Sequence, residues 1–276
     1  MNDTNFLDKF LLKDKVVVIT GGTGVLGKSF VNAVSSAGGT VVIIGRNEAK
    51  GNKRVNEIIA NNGKALFVQA DVLSESSLQN ACNIIVEKYG KIDGLVNAAG
   101  GNVPESVIQP TEDIFSFSID GMKKAMELNL WGTLIPTQVF GKEIAKTGKG
   151  SIVNISSVSS KKALTKVLGY SMGKAAIDCF TKWFAVEVAN RFGDSIRVNA
   201  IMPGFFLTEQ NRTLLTNEDG SLTDRGNTII KQTPFKRFGN PDELGNALIY
   251  LLSDASHFLT GTEIAIDGGF TAFSGV

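Results

Sequence analysis

Histidine and cysteine are scarce in this chain. Among 276 residues there is one histidine, His257, and there are two cysteines, Cys82 and Cys179. Cysteines this few and this far apart suggest neither a disulfide framework nor a zinc site. A single histidine also excludes metal centres built from several histidines. We expect His257 to lie in a solvated loop and Cys179 to pack as a small hydrophobic side chain.

Long apolar runs and an excess of one charge are also lacking. No stretch reaches the roughly 18 consecutive apolar residues of a membrane helix, and the start MNDTNFLDKFLLKDK has no long apolar signal core. The 28 lysines and arginines are scattered and nearly balance 27 aspartates and glutamates, so no electrostatic footprint for nucleic acid is present. We therefore expect a cytoplasmic protein that binds small molecules rather than membranes or nucleic acid.

Apolar, β-branched runs alternate with helix-period segments along the whole chain. The predicted strands cover 16–20, 40–45, 65–72, 94–100, 151–156, 196–201 and 263–269. Short apolar strands separated by helices indicate a parallel sheet covered on both faces. We predict one α/β domain over residues 1–276, a Rossmann-type doubly wound sheet with ligands at the carboxyl ends of its strands. The irregular stretch at about 205–238 is predicted to be a substrate lid, since long loops in compact domains are usually functional.

The sequence TGGTGVLG (20–27) directly follows the first predicted strand and opens the first helix. Glycines at a spacing of three could form only a tight turn. A dinucleotide pyrophosphate, however, binds to the free N–H groups at a helix start that follows a strand, and this loop has both flanks. The context therefore favours a phosphate-binding loop.

Three residues in the second half could carry proton chemistry. Tyr170 and Lys174 are four positions apart and would share one face of a helix. Ser157 ends the fifth predicted strand, 13 positions before Tyr170. That strand end places the serine beside the expected cofactor.

With these features, five further motifs occur in order: ADV (70–72), NAAG (97–100), ELNLWG (127–132), NISS (154–157) and VNAIMPG (198–204). The set resembles the short-chain dehydrogenase/reductase family over nearly the whole chain. In one departure, Val25 occupies the place of the loop's middle glycine, a spacing similar to the family's extended branch. We expect this to shift the loop slightly without abolishing phosphate binding.

The resemblance implies an NAD(P)-dependent enzyme that interconverts a carbonyl and a secondary alcohol. Tyr170 would be the general acid or base, and Lys174 would bind the nicotinamide ribose and favour the tyrosinate. Ser157 would orient and polarise the carbonyl, and Asn129 would hold a water that links Lys174 to solvent. The implied cofactor-binding residues are Gly21, Thr23, Gly24, Leu26, Gly27, Arg46, Asp71, Val72, Asn97, Ala98, Gly100, Tyr170, Lys174, Pro203, Gly204 and Thr208.

The end of the second strand bears on the choice of cofactor. Gly45 and Arg46 stand where an acidic residue would bind both ribose hydroxyls of NAD, and a neutral residue followed by arginine leaves room for a 2′-phosphate. This pattern predicts NADP(H) in preference to NAD(H). Arginine can also stack on adenine, which leaves NAD(H) open.

Strings in the predicted lid and at the C-terminus resemble a subgroup of the family, the D-mannonate oxidoreductases (D-fructuronate reductases). A sugar acid needs a cation for its carboxylate and amides or hydroxyls for its alcohols. The candidate substrate residues are Asn102, Ser157, Gln210, Asn211 and Arg212. Arg212 could equally cap or salt-bridge the lid itself.

Other functions remain open at this point. The substrate could be another polyol, a deoxy sugar acid or a 3-oxoacyl thioester. A redox sensor that binds dinucleotide without turnover is disfavoured, since a pure binder does not need Ser157, Tyr170 and Lys174 together. The helix IDCFTKWFAVEVA is apolar around much of its circumference, which with the family resemblance predicts a homotetramer.

Overall fold

A computed structural model describes residues 5–208 and 211–275, and a single parallel sheet runs through its centre. The strands are β1 (Val16–Thr20), β2 (Thr40–Gly45), β3 (Lys64–Gln69), β4 (Gly94–Asn97), β5 (Gly150–Ile155), β6 (Ile196–Pro203) and β7 (Glu263–Ile266). Their order is β3-β2-β1-β4-β5-β6-β7, and every neighbouring pair is parallel. The predicted doubly wound sheet is confirmed.

Helices cover both faces of this sheet. They are α1 (Val25–Ser36), α2 (Glu48–Ala60), α3 (Glu75–Tyr89), α4 (Ile119–Met126), α5 (Gly132–Thr147), α6 (Leu168–Phe192), α7 (Arg212–Leu215), α8 (Asp224–Gln232) and α9 (Glu243–Leu252). One apolar cluster joins the sheet to α3, α5 and α6, and a second joins the opposite face to α1 and α9. This two-sided burial explains why the strands read as continuous apolar runs.

Several strands end earlier than predicted. β4 ends at Asn97 rather than at Gly100, because the amides of Ala98 and Ala99 donate to the Thr20 hydroxyl oxygen at 3.1 and 3.2 Å instead of to a neighbouring strand. β3 and β7 are also shorter at their carboxyl ends, whereas β6 extends to Pro203. The shortened ends leave loops at the edge where ligands are expected.

The predicted lid is more regular than its sequence indicated. Its described part, 205–208 and 211–238, contains α7 and α8, and an isolated antiparallel bridge joins Thr216 to Leu222 between them. Thr223 caps α8: its hydroxyl accepts the Gly226 amide at 3.1 Å and donates to the Leu214 carbonyl at 2.7 Å. The two short helices are thereby fixed to each other.

The expectation for Cys179 was wrong, because this side chain is exposed while Cys82 is buried. Residues Ile177, Asp178 and Thr181 form the buried face of α6, and Cys179 lies off that face. His257 is exposed, as expected. Among the described residues, no helix has both the length and the hydropathy needed to cross a bilayer, and no cluster of three His, Cys, Asp or Glu residues could hold a metal.

Candidate active site

Two adjoining cavities open at the carboxyl edge of the sheet. The first, the glycine-loop groove, follows the turn between β1 and α1 and extends to the ends of β2 and β3. The second, the Tyr170 cavity, lies beside Ser157, Tyr170 and Lys174. The described residues that line both are Leu26, Ala98, Gly100 and Thr208. Since they share these walls, a molecule lying along the groove reaches the catalytic candidates.

The glycine loop has the geometry that a dinucleotide needs. Gly21 has a φ of 68°, and a Cβ there would come within 2.7 Å of the Ala98 carbonyl oxygen. A Cβ on Gly27 would lie 2.2 Å from the Gly21 carbonyl oxygen, so α1 can pack against the loop only with glycine at this position. α1 begins at Val25, and its N-cap Gly24 offers no side-chain hydrogen bond. The first N–H groups of α1 therefore lack a capping side chain, which fits a bound pyrophosphate.

The other predicted cofactor residues line the same two cavities, with one exception. Those in the glycine-loop groove are Gly21, Thr23, Gly24, Leu26, Gly27, Arg46, Asp71, Val72, Ala98, Gly100 and Thr208. Those in the Tyr170 cavity include Tyr170, Lys174, Pro203 and Gly204. Arg46 is exposed at the end of β2. A Cβ on Gly204 would lie 2.7 Å from the Asp267 Cα, so the β6 turn also requires glycine.

Asn97 is the exception, because its side chain is buried between the sheet and the helices that cover it. Its amide nitrogen donates to the Thr137 hydroxyl at 2.8 Å and to the Asn154 side-chain oxygen at 2.9 Å. Asn154 in turn donates to the Thr181 hydroxyl at 2.9 Å. Among the described residues, Asn97 does not line either cavity. We therefore assign its side chain to holding β4, β5, α5 and α6 together rather than to the ribose.

Ser157, Tyr170 and Lys174 come together as the sequence predicted. Ser157 follows β5 directly, Tyr170 lies in the first turn of α6, and Lys174 is one turn further along. Lys174 is buried, its Nζ donates to the Ile155 carbonyl at 2.7 Å, and it lies 5.5 Å from the centre of the Tyr170 ring. Two of the three ammonium protons are left for other acceptors.

Burial is the largest influence on the pKa values of Tyr170 and Lys174. Burial raises the pKa of the Tyr170 hydroxyl, and a hydrogen bond with Ser157 opposes that rise. Burial also lowers the pKa of Lys174 to about 8, while the carboxylate of Asp178 raises it. The hydrogen bond with Ser157 therefore favours the tyrosinate, and the same effect expected of the Lys174 cation stays a prediction.

Asn129 lies in a π-helical turn, Glu127–Trp131, between α4 and α5. Its amide nitrogen donates to the carbonyls of Gly101 and Ala125, both at 2.9 Å, and its side-chain oxygen accepts the Gly101 amide at 3.0 Å. This side chain therefore holds the loop after β4, and the role of Asn129 in holding a water beside Lys174 stays a prediction. A Cβ on Gly173 would lie 2.9 Å from the Asn129 Cβ, so glycine there allows α6 to approach.

The structure places some of the predicted substrate residues in the Tyr170 cavity and others outside it. Asn102 and Asn211 line the Tyr170 cavity, whereas Arg212 is exposed and is not among its described lining residues. Asn211 holds the covering segment, because its side chain accepts the Thr208 amide at 2.7 Å and donates to the Phe206 carbonyl at 2.8 Å. Gln210 lies outside the described residues.

An arginine that the sequence reasoning missed does line the Tyr170 cavity. This is Arg225, in the first turn of α8. The signal available was the string TDRG (223–226), in which a capping threonine marks a helix start and fixes the position of the arginine.

Comparison with known proteins agrees with this geometry. The short-chain dehydrogenase family model described as Enoyl-(Acyl carrier protein) reductase matches residues 23–271. The uncharacterized oxidoreductase UxuB from Bacillus subtilis is 42% identical over 274 residues, which cover 96% of this chain and 98% of that protein. The family match includes the glycine loop from Thr23 onward, Ser157 and Tyr170.

Two solved structures are similar along their whole length. A candidate D-mannonate oxidoreductase from Haemophilus influenzae with bound NAD has a TM-score of 0.89 and 37% identity, covering 99% of this chain and 100% of that one. A gluconate 5-dehydrogenase from Burkholderia cenocepacia, in complex with NADP and tartrate, has a TM-score of 0.85 and 32% identity, covering 97% and 99%. The chain belongs to the short-chain dehydrogenase/reductase family of NAD(P)-dependent oxidoreductases.

Proposed function

We propose that the protein interconverts D-fructuronate and D-mannonate, a keto sugar acid and its alcohol, with a nicotinamide cofactor. The observation that carries this proposal is that Asn102, Asn211 and Arg225 line the same cavity as Tyr170. Amides suit the hydroxyls of a sugar, and a guanidinium suits its carboxylate. The similarity to a candidate D-mannonate oxidoreductase supports the same substrate class.

In this proposal Tyr170 exchanges a proton with the substrate oxygen. Ser157, which is hydrogen-bonded to Tyr170, donates to the same oxygen and stabilises the charge that develops on it. Lys174 uses its remaining protons to bind the ribose and to balance that charge. Asn129 and Gly173 fix the loop and the helix that hold these groups. The nicotinamide, when bound, supplies or accepts the hydride.

We also propose that NADP(H) is preferred over NAD(H). Gly45 lines the glycine-loop groove without offering a carboxylate, and the exposed Arg46 follows it at the position suited to a 2′-phosphate. The Haemophilus relative contains NAD, so the ratio of catalytic efficiencies with the two cofactors decides this point.

The segment 205–238 is proposed to act as the lid of the Tyr170 cavity. Phe205, Phe206 and Leu215 of this segment line the cavity with Arg225. Closing such a segment over the substrate would exclude water from the developing charge. The protein is further proposed to work in the cytoplasm as a homotetramer.

The test is a substrate panel with the purified protein. D-fructuronate, other hexuronates, a 3-oxoacyl thioester and neutral ketoses are offered with NADPH and with NADH, and oxidation of the cofactor is followed at 340 nm, where reduced nicotinamide absorbs. We expect the largest kcat/KM for D-fructuronate. A larger value for a neutral ketose or a thioester would replace the proposed substrate while keeping the reaction class.

A further inference from the structure

The Tyr170 cavity contains one arginine among its described lining residues, Arg225. Burial lowers the pKa of its guanidinium from the ordinary value, which places the group partly away from bulk water. An arginine remains positively charged in this situation, because its ordinary pKa is above about 12. The cavity beside the tyrosine is therefore cationic at a point removed from Lys174.

Few of the N–H donors of Arg225 have a hydrogen-bond partner. Nη1 donates to the Thr165 hydroxyl at 3.1 Å and Nη2 to the Thr165 carbonyl at 3.3 Å. Both acceptors are neutral. Among the described residues Arg225 has no carboxylate partner, whereas Arg54, Arg191 and Arg237 each pair with a glutamate. A guanidinium has five N–H donors, so the charge and several donors stay available to a ligand.

The backbone that presents Arg225 is fixed. Thr223, two positions before Arg225, caps α8, and a Cβ on Gly226, directly after Arg225, would lie 2.3 Å from the Leu215 carbonyl oxygen. The start of α8 therefore sits tightly against α7. Thr165, the partner of the guanidinium, lies in the loop between Ser157 and Tyr170. Arg225 thus connects the covering segment to the loop that precedes the catalytic helix.

We propose that Arg225 recognises the carboxylate of the substrate and makes the enzyme select anionic sugar acids over neutral ketoses and polyols. This inference rests on the proposed function and replaces the role considered for Arg212. A carboxylate accepts two parallel N–H bonds from the guanidinium fork. The keto group of the bound acid would then lie toward Tyr170 while its carboxylate is held at α8.

The first experiment compares Arg225→Gln and Arg225→Lys with the wild type in the reduction of D-fructuronate and of neutral D-fructose. For Arg225→Gln we expect the KM for D-fructuronate to rise by about tenfold to a hundredfold, because a charge-assisted pair is lost, with a much smaller change in kcat. Arg225→Lys should recover only part of the affinity, since an ammonium lacks the planar fork. The kcat/KM for D-fructose should change by less than about threefold.

Three further variants separate recognition from structure. Thr165→Val removes the hydroxyl that Arg225 contacts but keeps the charge, so the KM for D-fructuronate should stay within about threefold of wild type. Lys231→Ala removes an exposed cation from the same helix and should leave the KM unchanged. Arg212→Ala tests the competing arginine and should also leave it unchanged. Cofactor affinity, measured by fluorescence titration, should be the same in every variant if folding is preserved.

The outcomes distinguish this inference from the proposed function. A wild-type KM for D-fructuronate in Arg225→Gln would overturn the inference while the proposed substrate stands. Equal rises in the KM for D-fructuronate in Thr165→Val and Arg225→Gln would show that Arg225 only stabilises the fold through its contact with Thr165. If the wild type ignores D-fructuronate but reduces another keto acid, and Arg225→Gln loses that activity, the inference holds and the proposed substrate fails. A wild type active only on neutral carbonyls would overturn both.

Discussion

Lys174 and Asp178 lie one turn apart on the buried face of α6, and the Asp178 carboxylate raises the pKa of the lysine against the effect of burial. Asp178 also accepts a hydrogen bond from Ser156 and pairs with the Lys161 Nζ at 3.0 Å. Lys161 in turn pairs with Glu263 at 2.6 Å. A network of charges therefore connects the last strand of the sheet to the lysine of the candidate site.

This relationship predicts that the pH profile of kcat/KM differs between Asp178→Asn and the wild type. In the reduction direction Tyr170 must be protonated, and burial raises its pKa above the ordinary value of 10, so it is protonated at the pH where Lys174 titrates. The alkaline loss of kcat/KM should then report Lys174, whose pKa is about 8. Without the carboxylate that pKa falls further, and the alkaline limb should move to lower pH.

The matched control is Glu187→Gln, which removes an outward carboxylate from the same helix and its pair with Arg191. Its profile should overlay that of the wild type. An Asp178→Asn profile with an unmoved alkaline limb would show that the carboxylate does not act on Lys174 and serves only to hold Lys161.

The buried lysine should also reduce stability at neutral pH. Its pKa is about 8 in the folded protein, against an ordinary value of 10.5 for a lysine in the unfolded chain. Between these two values the unfolded chain binds more protons, so stability rises with pH. This difference in pKa lowers the free energy of unfolding by about 3 kcal/mol, and the whole effect is present below pH 8. Lys174→Met should therefore be inactive but more stable than the wild type at pH 7.

Thermal unfolding of the wild type and of Lys174→Met between pH 7 and pH 10.5 checks whether the protonated Lys174 lowers stability. The advantage of Lys174→Met should narrow as the wild-type lysine loses its proton above about pH 8. A variant that is less stable at pH 7, or a difference that does not change with pH, would contradict the penalty assigned to burial.

Cofactor choice can be tested by a pair of substitutions at the end of β2. A Cβ on Gly45 would lie 3.4 Å from the Thr23 hydroxyl oxygen, an ordinary contact, so Gly45→Asp should fold normally. Its carboxylate would accept the ribose hydroxyls of NAD and repel a 2′-phosphate. Arg46→Ala should weaken NADPH binding by about 1–2 kcal/mol, the size of one charge-assisted contact, and leave NADH binding nearly unchanged.

Titration of each variant with NADPH and NADH gives the affinities directly. Gly45→Asp should favour NADH relative to the wild type. Equal effects of Arg46→Ala on both cofactors would show that this arginine stacks on the adenine or remains in solvent.

The outer face of α6 predicts self-association. Trp183 and Val186 are 61% and 60% exposed, and Phe180 stacks on Phe184 at 5.0 Å in an apolar groove between α5 and α6. Large exposed apolar patches of this kind mark interfaces. We expect a tetramer by light scattering at micromolar concentration and a smaller species for Trp183→Glu, with Glu187→Gln as the control. A monomeric wild type would refute the tetramer.

The fold could be predicted from the sequence because its signals are local. Each buried strand is a continuous apolar run, and Gly27 is required by its close approach to the backbone of Gly21 in the same loop. Ser157, Tyr170 and Lys174 were predictable because a strand end and a helical turn determine where they lie.

The details that the sequence did not reveal depend on packing between distant elements. Asn97 turns inward because Thr137 and Asn154 offer partners from α5 and β5. Arg212 and Arg225 each lie in the first turn of a short helix, but Arg225 contacts Thr165 and lines the Tyr170 cavity. The π-helical turn at Asn129 likewise has no local signature, since it arises where α4 and α5 meet the loop after β4.

The most direct test of the account is a steady-state comparison of the wild type with Tyr170→Phe in the reduction of D-fructuronate. This change removes only the hydroxyl that exchanges the proton, so cofactor affinity should be preserved. The wild type should convert D-fructuronate to D-mannonate, and kcat of the variant should fall by about 100-fold or more, as expected for loss of a general acid. A variant that keeps more than about a tenth of wild-type kcat would contradict the assignment of Tyr170. A wild type that does not turn over D-fructuronate would contradict the proposed substrate.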